Sequence, residues 1–222
     1  MIEEREVKEI VRAVLDSMTD SDGDGASSGA TGPSGAAATG PAERGVFLSM
    51  DQALSAAGAA FKQLSDTSLE TRRRMIEAMR RVIVDHVDAL SELAARETGM
   101  GRREDKIVKN RLAARKTPGV EDLEPVSFTD DDGLTLTERA PYGIVGAIAP
   151  STNPTETIIS NSIGMVAAGN AVVFNPHPSA AACSRLTISL LNDAITGAGG
   201  PENVISTVKE PTIDSATHMM HH

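Results

Sequence analysis

The stretch from Pro141 to Ser179 constrains the fold of this chain more than any other. It predicts a buried strand over 143–149, a turn of Pro, Ser, Thr and Asn, a helix over 154–168 and a second strand over 171–174. This order favours two parallel strands, and open α/β sheets bind ligands at the carboxyl ends of such strands. The loops that follow the two strands are therefore the first candidates for a functional site.

The same alternation continues to residue 222, with a helix predicted over 178–195, a short strand at 204–205 and a helix over 213–220. Upstream, Ser49 caps a helix that runs to Leu64, a longer helix runs from Ser68 to Thr98, a charged helix covers 102–116, and a hairpin turns at 131–133. The predicted fold class is α/β: a partial doubly wound, Rossmann-like parallel sheet preceded by helices and a β-hairpin.

Composition excludes several classes of function. The chain has 31 Asp and Glu against 21 Lys and Arg, and four Phe, one Tyr and no Trp, which disfavours a nucleic-acid partner. The single cysteine suits a reducing compartment, and no apolar run or basic leader indicates a membrane or secretion. We therefore expect a cytoplasmic protein with no membrane partner. The basic run at 72–74 is interpreted as a solvated helix face.

The amino-terminal 45 residues form two segments of different composition. Residues 1–18 predict an amphipathic helix, and residues 19–45 contain seven glycines and two prolines, which predicts a flexible Gly/Ala/Ser/Pro linker. We expect the helix to be an appendage with an adhesive face rather than part of the core, although folding back onto the core is the alternative. A membrane anchor is disfavoured because the polar face is acidic. The apolar face consists of Val7, Ile10, Val11, Val14, Leu15 and Met18.

Three long segments, residues 99–123, 140–180 and 203–212, resemble the amino-terminal half of the CoA-acylating aldehyde dehydrogenases of bacterial microcompartments, of the propionaldehyde dehydrogenase type. The resemblance implies oxidation of a short-chain aldehyde, propionaldehyde or acetaldehyde, to its acyl-CoA, with NAD as cofactor and coenzyme A as co-substrate. It also implies that the helix over 1–18 targets a microcompartment shell protein. Residues 46–222 would then be a helical cap and the first half of the NAD-binding domain, ending before the catalytic domain.

The catalytic residue implied by the resemblance is Asn153, in the motif STNPT at 151–155. In this family the asparagine before proline donates its amide N–H to the oxyanion that develops on the aldehyde oxygen, and one such donor contributes about two to three powers of ten in rate. From the residues alone, Asn153-Pro154 also fits an ordinary turn that starts a helix, with Asn as the cap and Pro in the first helical position.

Two loops are expected to bind the cofactor. By the resemblance, the first lines the dinucleotide cleft with Ala149, Pro150, Ser151 and Thr152, and the second meets the adenosine ribose with Asn175, Pro176, His177 and Pro178. General aldehyde dehydrogenases have a lysine in the second loop, and its replacement here favours NAD over NADP. His177 lies between two prolines and is interpreted as a rigid loop residue rather than a catalytic base.

The resemblance implies that the nucleophilic cysteine, the general-base glutamate and the oligomerisation strand lie beyond residue 222. Cys183 is expected to be a buried packing residue, and the chain alone is therefore expected to lack turnover. No metal site is predicted at His218, His221 and His222 because acidic or cysteine partners at ligand spacing are missing. Two alternatives remain: a non-catalytic fragment that acts only as a shell-docking module, and a stand-alone NAD-binding domain.

Overall fold

The computed structural model describes residues 43–222. The predictions for the helix over 1–18 and for most of the linker lie outside these residues. The described elements, in chain order, are β1 (Val46–Phe47), α1 (Met50–Ser65), α2 (Leu69–Asp85), α3 (Val87–Thr98), α4 (Arg103–Lys116), β2 (Val126–Asp130), β3 (Gly133–Thr137), β4 (Ile144–Ala149), α5 (Pro154–Ala167), β5 (Ala171–Pro176), α6 (Ala181–Gly197), β6 (Ile205–Val208) and α7 (Ile213–His221). Short 3₁₀ turns cover Val120–Leu123 and Pro178–Ala180.

A parallel sheet with strand order β1-β6-β5-β4 organises the described chain. The hairpin of β2 and β3 forms a separate antiparallel pair. The predicted α/β class is therefore confirmed. The strand β1 was not predicted, because two residues are too few to show a period in the sequence.

Helices cover both faces of this sheet. In β5, Val172 and Phe174 join the larger core with α2, α5 and α6, whereas Ala171 and Val173 join a smaller core with α1 and α7. Successive residues of a strand point to opposite faces, so a strand that is buried along its whole length belongs between two helical layers. The carboxyl ends of β4, β5 and β6 consequently open at one edge of the sheet.

Local signals placed most helix ends correctly. Ser49 forms a capping box with Gln52, and Gly99 ends α3 in the left-handed conformation with a φ of 65°. The single long helix predicted from Ser68 to Thr98 is wrong, because the chain breaks at His86 into α2 and α3. The apolar spacing continues across this break with no Gly or Pro to mark it, so the sequence contained no signal for it.

Three further predictions need correction. The helix expected to start at Pro178 begins with the 3₁₀ turn and becomes α-helical at Ala181, and the strand expected at 204–205 extends to Val208. Arg72 is not part of a solvated face: its Nη1 donates to the carbonyl oxygen of Ala167 at 2.9 Å. Burial lowers the pKa of the Arg72 guanidinium.

The last residues of the predicted linker, 43–45, pack against the folded unit. Glu43 pairs with Arg185 at 3.2 Å, and Arg44 pairs with Asp193 at 3.0 Å. Gly45 has a φ of 80°, and a Cβ atom there would collide with Asn192. These three residues therefore belong to the folded unit around the sheet.

Within residues 43–222, no helix has the length and apolar character needed to cross a bilayer.

Candidate active site at the carboxyl ends of β4 and β5

The two loops predicted to form the site are joined at their first residues. Ala149 is the last residue of β4 and lies opposite Pro176, the last residue of β5. Beyond that pair, the backbone N–H of His177 donates to the carbonyl oxygen of Ala149 at 2.9 Å. The structure therefore brings the β4–α5 loop and the β5–α6 loop together at one edge of the sheet.

The β4–α5 loop presents its side chains to solvent and to α4. Pro150 and Thr152 are exposed, and Ser151 and Asn153 are half-buried. The hydroxyl of Ser151 lies 3.8 Å from Sδ of Met100, in the connection between α3 and α4. Three of the four residues that were predicted to line a cleft after β4 are thus accessible, while Ala149 is buried in the strand.

Asn153 occupies the N-cap position of α5, with Pro154 directly after it in the first turn. An asparagine in this position ordinarily accepts a hydrogen bond from a backbone N–H of the first turn. Here the Asn153 side chain makes no capping bond, and its backbone has a φ of −136° and a ψ of 60°. The side chain is therefore not used for the local role that its position would suggest.

Lys109 on α4 engages the Asn153 side chain instead. Its Nζ donates to Oδ1 of Asn153 at 3.1 Å. One turn earlier on α4, Nζ of Lys106 donates to the carbonyl oxygen of Thr152 at 3.2 Å, and this lysine is only 2% exposed. Two ammonium groups thus hold two consecutive residues of the loop, and they bring positive charge to the place where the site would stabilise an anion.

A groove with a volume of about 410 Å³ runs between α4 and α5 beside this loop. Glu156, in the first turn of α5, lines the groove and is 8% exposed. Its Oε2 accepts from the Thr155 hydroxyl at 3.1 Å, and its Oε1 is buried without a hydrogen-bond partner among residues 43–222. A buried acceptor without a partner is unusual in a folded protein, and this oxygen lies in the first turn of α5, next to the loop that holds Asn153.

The second predicted loop is only partly accessible. Asn175 and Pro176 belong to β5 and are buried, and Asn175 is 4% exposed. The amide nitrogen of Asn175 donates to the carbonyl oxygen of Thr212 at 3.1 Å, and its Oδ1 accepts from the Ser215 hydroxyl. Both polar ends of this side chain are therefore used to attach the start of α7, and contact with a cofactor stays a prediction for these two residues.

His177 and Pro178 are exposed at the start of the β5–α6 loop. The Nδ1 atom of His177 accepts from the backbone N–H of Ser179 at 3.2 Å and lies 2.8 Å from the Ser179 hydroxyl. A backbone N–H can only donate, so Nδ1 is the acceptor and a neutral ring carries its proton on Nε2. The ring caps the 3₁₀ turn, in agreement with the structural interpretation of this histidine.

The amino terminus of α6, which faces the same edge, is already occupied by an anionic side chain. Both carboxylate oxygens of Glu97 accept backbone N–H groups there, from Ala182 at 2.7 Å and from Cys183 at 2.8 Å. A helix amino terminus is a common phosphate site, but the carboxylate of Glu97 takes the hydrogen-bond donors that a phosphate would need.

Cys183 is fully buried, and its Sγ donates to the carbonyl oxygen of Ala180 at 3.4 Å. Burial raises the pKa of its thiol well above the ordinary value, and the nearby carboxylate of Glu97 raises it further. A nucleophile needs an accessible thiolate, so the expectation that Cys183 is a packing residue agrees with its surroundings.

His218 lies 2.7 Å from a carboxylate oxygen of Asp51. Within residues 43–222, no three His, Cys, Asp or Glu side chains gather as a metal site would need.

Sequence reasoning did not identify Lys106, Lys109, Glu97 or Glu156 as site residues. The signal that could have found the lysines is their spacing of three, which places both on one side of a helix whose overall pattern is strongly charged. Glu156 could have been noticed as an acidic residue in the first turn of an otherwise apolar helix. Their partners lie elsewhere in the chain, so spacing alone could not reveal what these side chains contact.

Comparison with known proteins gives a consistent result. The model of the "Aldehyde dehydrogenase family" matches residues 33–222. The acetylating acetaldehyde dehydrogenase EutE of Escherichia coli (strain K12) is 45% identical over 216 residues, which cover 97% of this chain and 43% of the relative.

Solved structures agree with this result. A propionaldehyde dehydrogenase of Rhodopseudomonas palustris, with bound CoA and an acylated cysteine, is 49% identical with a TM-score of 0.78, over 80% of this chain and 41% of that one. An engineered glycolyl-CoA reductase with bound NADP⁺ is 47% identical with a TM-score of 0.79, over 83% of this chain and 42% of that one.

A third structure comes from a microcompartment. The propionaldehyde dehydrogenase of the fucose utilisation bacterial microcompartment of Clostridium phytofermentans is 47% identical with a TM-score of 0.77, over 80% of this chain and 41% of that one. In each of these four comparisons the 222-residue chain spans 41% to 43% of the length of the protein that it matches.

Proposed function

The chain belongs to the aldehyde dehydrogenase family, and from this premise we propose that it forms the oxyanion and cofactor side of a CoA-acylating enzyme that oxidises a short-chain aldehyde, acetaldehyde or propionaldehyde, to its acyl-CoA. The relatives that support this reaction are named as acetylating or propionaldehyde enzymes. Because the chain spans less than half of their length, the activity is proposed for the protein as a whole.

The proposal rests on the hydrogen bonds that the Asn153 side chain makes and does not make. It sits where an asparagine would cap α5, yet it makes no capping bond and its Oδ1 faces Lys109. Within residues 43–222, the partner of Nδ2 is the Thr152 hydroxyl at 3.5 Å, which is at the limit of a hydrogen bond. The amide therefore has N–H donors to offer to an aldehyde oxygen as that oxygen becomes negative.

The described residues would act on an aldehyde in three ways. The groove between α4 and α5 receives its carbon chain beside the polar loop after β4. Asn153 donates to its oxygen, and Lys106 and Lys109 place positive charge behind that donor. The attacking thiolate must come from a residue other than Cys183, because that thiol is buried and its pKa is raised.

A dinucleotide would lie over the strand ends, against Pro150, Ser151 and Thr152 on one side and His177 and Pro178 on the other. The residues present fit such a group in one respect: these five side chains are exposed or half-buried along the edge where the two loops meet. When bound, NAD accepts the hydride and CoA accepts the acyl group. We propose NAD rather than NADP, since the second loop has no lysine, although the engineered reductase binds NADP⁺.

We also propose that the protein works inside a bacterial microcompartment, with the apolar stripe of residues 1–18 docked on a shell protein. The amphipathic pattern of that segment and the microcompartment origin of one similar enzyme support this. Fusing residues 1–18 to a fluorescent protein tests the docking step. Fluorescence that stays diffuse in cells with assembled microcompartments would remove it.

The catalytic proposal is tested on the protein produced from its complete reading frame, including any sequence beyond residue 222. We expect NADH and acyl-CoA to form together from propionaldehyde or acetaldehyde with CoA and NAD. Asn153→Ala lowers kcat by about two powers of ten, and Asn153→Asp by at least as much, because a carboxylate repels the oxyanion. Wild-type activity in the Asn153→Ala protein would refute the role of Asn153, and the isolated 222-residue chain is expected to show no turnover.

A further inference from the structure

We infer that Lys109 is a positioning residue for Asn153: its ammonium group fixes which end of the Asn153 amide faces the aldehyde oxygen. The inference rests on the proposed function, because it assigns Lys109 a role in the same oxyanion site. It concerns a pair of side chains on different elements, α4 and the start of α5, whose polar atoms lie 3.1 Å apart.

The chemistry of the pair settles the orientation of the amide. A lysine ammonium has three N–H donors and no acceptor, so only the oxygen of the Asn153 amide can face it. Because Oδ1 of Asn153 accepts from Nζ of Lys109, Nδ2 points away from the lysine. Its partner within residues 43–222 is the Thr152 hydroxyl, at 3.5 Å. Lys109 thus turns the two N–H donors of Asn153 outward.

Without Lys109, the amino terminus of α5 would compete for the same oxygen. The backbone N–H groups of Thr155 and Glu156 lie in the first turn of α5, where an N-cap side chain ordinarily binds. If Oδ1 turned to either of them, the side chain would become an ordinary cap and Nδ2 would move with it. The lysine therefore holds Asn153 away from the role that its position in the helix favours.

Lys106 further restricts the position of Asn153 by binding the residue before it. It is 2% exposed and donates to the carbonyl oxygen of Thr152, so the backbone directly before Asn153 is also fixed from α4. The charge on Lys109 further polarises the amide that it binds, and hydrogen bonds in series strengthen one another. Both effects act through Asn153, because Nζ of Lys109 binds the oxygen of that side chain.

Kinetics on the protein from its complete reading frame test this role. Lys109→Met, which keeps the length of the stem and removes the donors, is expected to lower kcat about tenfold and to leave KM for the aldehyde within about twofold. Lys109→Arg restores a donor, so its kcat should lie within about threefold of the wild-type value. Lys62→Met, at an exposed lysine of α1, is the matched control and should change neither constant.

The double variant separates positioning from a structural effect. If Lys109 acts through Asn153, adding Lys109→Met to Asn153→Ala lowers kcat by less than about twofold further. A full tenfold loss in the Asn153→Ala background would overturn the inference, because Lys109 would then act independently. Unchanged kcat in Lys109→Met would overturn it as well, while a large loss in Asn153→Ala alone would leave the proposed function intact.

A structure of the 222-residue Lys109→Met chain gives an answer that does not depend on activity. We expect Oδ1 of Asn153 to turn toward a backbone N–H of the first turn of α5, and the corresponding Lys62→Met structure to keep it in place. An Asn153 amide that stays in its present orientation without Lys109 would overturn the inference, whatever the result of the activity assay.

Discussion

Glu97 accepts a hydrogen bond at 2.8 Å from the backbone N–H of Cys183, a residue 86 positions further along the chain. The other carboxylate oxygen of Glu97 accepts from Ala182 at 2.7 Å. Helix α3 thereby supplies the cap for α6, which has no side-chain cap of its own. This contact joins the helical segment to the sheet next to the proposed cofactor cleft.

The first prediction concerns this cap. Glu97→Ala leaves two N–H groups at the start of α6 without their charged acceptor, so we expect the free energy of unfolding to fall by about 2 kcal/mol. Glu97→Gln, which keeps one acceptor oxygen, should lose about half of that. Urea titration followed by circular dichroism measures both, with Glu202→Ala, an exposed glutamate, as control. A Glu97→Ala chain as stable as the control would contradict the capping role.

The second prediction concerns the reactivity of Cys183, the one cysteine of the sequence. Its burial and raised pKa leave almost no accessible thiolate in the folded chain at neutral pH. A thiol reagent should therefore modify the folded chain at least about a hundredfold more slowly than it modifies the urea-unfolded chain. Equal rates in the two states would show that this thiol is accessible and would contradict the interpretation of Cys183 as a packing residue.

The raised pKa of Cys183 also fixes the sign of a pH effect on stability. Below about pH 8.5, the usual pKa of a cysteine, the thiol is protonated in both states and its contribution is constant. Above that pH the unfolded chain loses this proton and the folded chain retains it, so stability falls by up to about 1.4 kcal/mol per pH unit. Cys183→Ala should lack this component of the slope in unfolding experiments between pH 8 and pH 10.

The elements around the site were largely predictable from local signals. The strands β4 and β5 and the helix α5 follow from apolar runs that are bounded by Pro154 and Gly169-Asn170, and the hairpin follows from its Asp-Asp-Gly turn. Asn153 was identified through the resemblance, because its local pattern equally fits a helix cap. The sequence thus located the loop correctly, and the structure adds that its side chain does not cap α5.

What the sequence could not predict depends on contacts between distant residues. Lys109 and Asn153 are 44 positions apart, and Lys106 and Thr152 are 46 apart. Nothing in the spacing of a charged helix tells which of its lysines face a loop and which face water. The burial of Asn175 was missed for the same reason, since its partners Thr212 and Ser215 lie at the start of the last helix.

The third prediction concerns Arg80 on α2, which binds the carboxyl end of α4. Its guanidinium donates to the carbonyl oxygens of Ala114 at 3.1 Å, Arg115 at 3.0 Å and Thr117 at 2.8 Å. Because Arg80→Met leaves these three carbonyl oxygens without their charged donor, we expect it to reduce the free energy of unfolding by about 2 kcal/mol. Arg81→Met, at the exposed neighbouring position, should stay within about 0.5 kcal/mol of wild type. A loss in both variants of similar size would argue against a specific capping contact.

The fourth prediction compares Asn153 with the helix caps that do form. Ser49 and Ser68 accept backbone N–H groups at the starts of α1 and α2, so Ser49→Ala and Ser68→Ala should each cost about 1 kcal/mol of stability. Asn153→Ala should cost less than about 0.5 kcal/mol, because its side chain makes no capping bond to α5. Chemical denaturation of the 222-residue chain measures all three variants under one set of conditions.

The same comparison distinguishes a working cap from a side chain that is held for catalysis. A loss of about 1 kcal/mol in Asn153→Ala that Lys109→Met does not reproduce would mean that the amide caps α5 in solution, because the loss could not then come from the Lys109 contact. The free N–H donors on which the proposed site depends would then be absent. A negligible loss of stability, together with a loss of about two powers of ten in kcat for the complete protein, is the expected pair of results. It would assign Asn153 to the reaction and not to the fold, because a residue that matters mainly for folding lowers stability when it is removed.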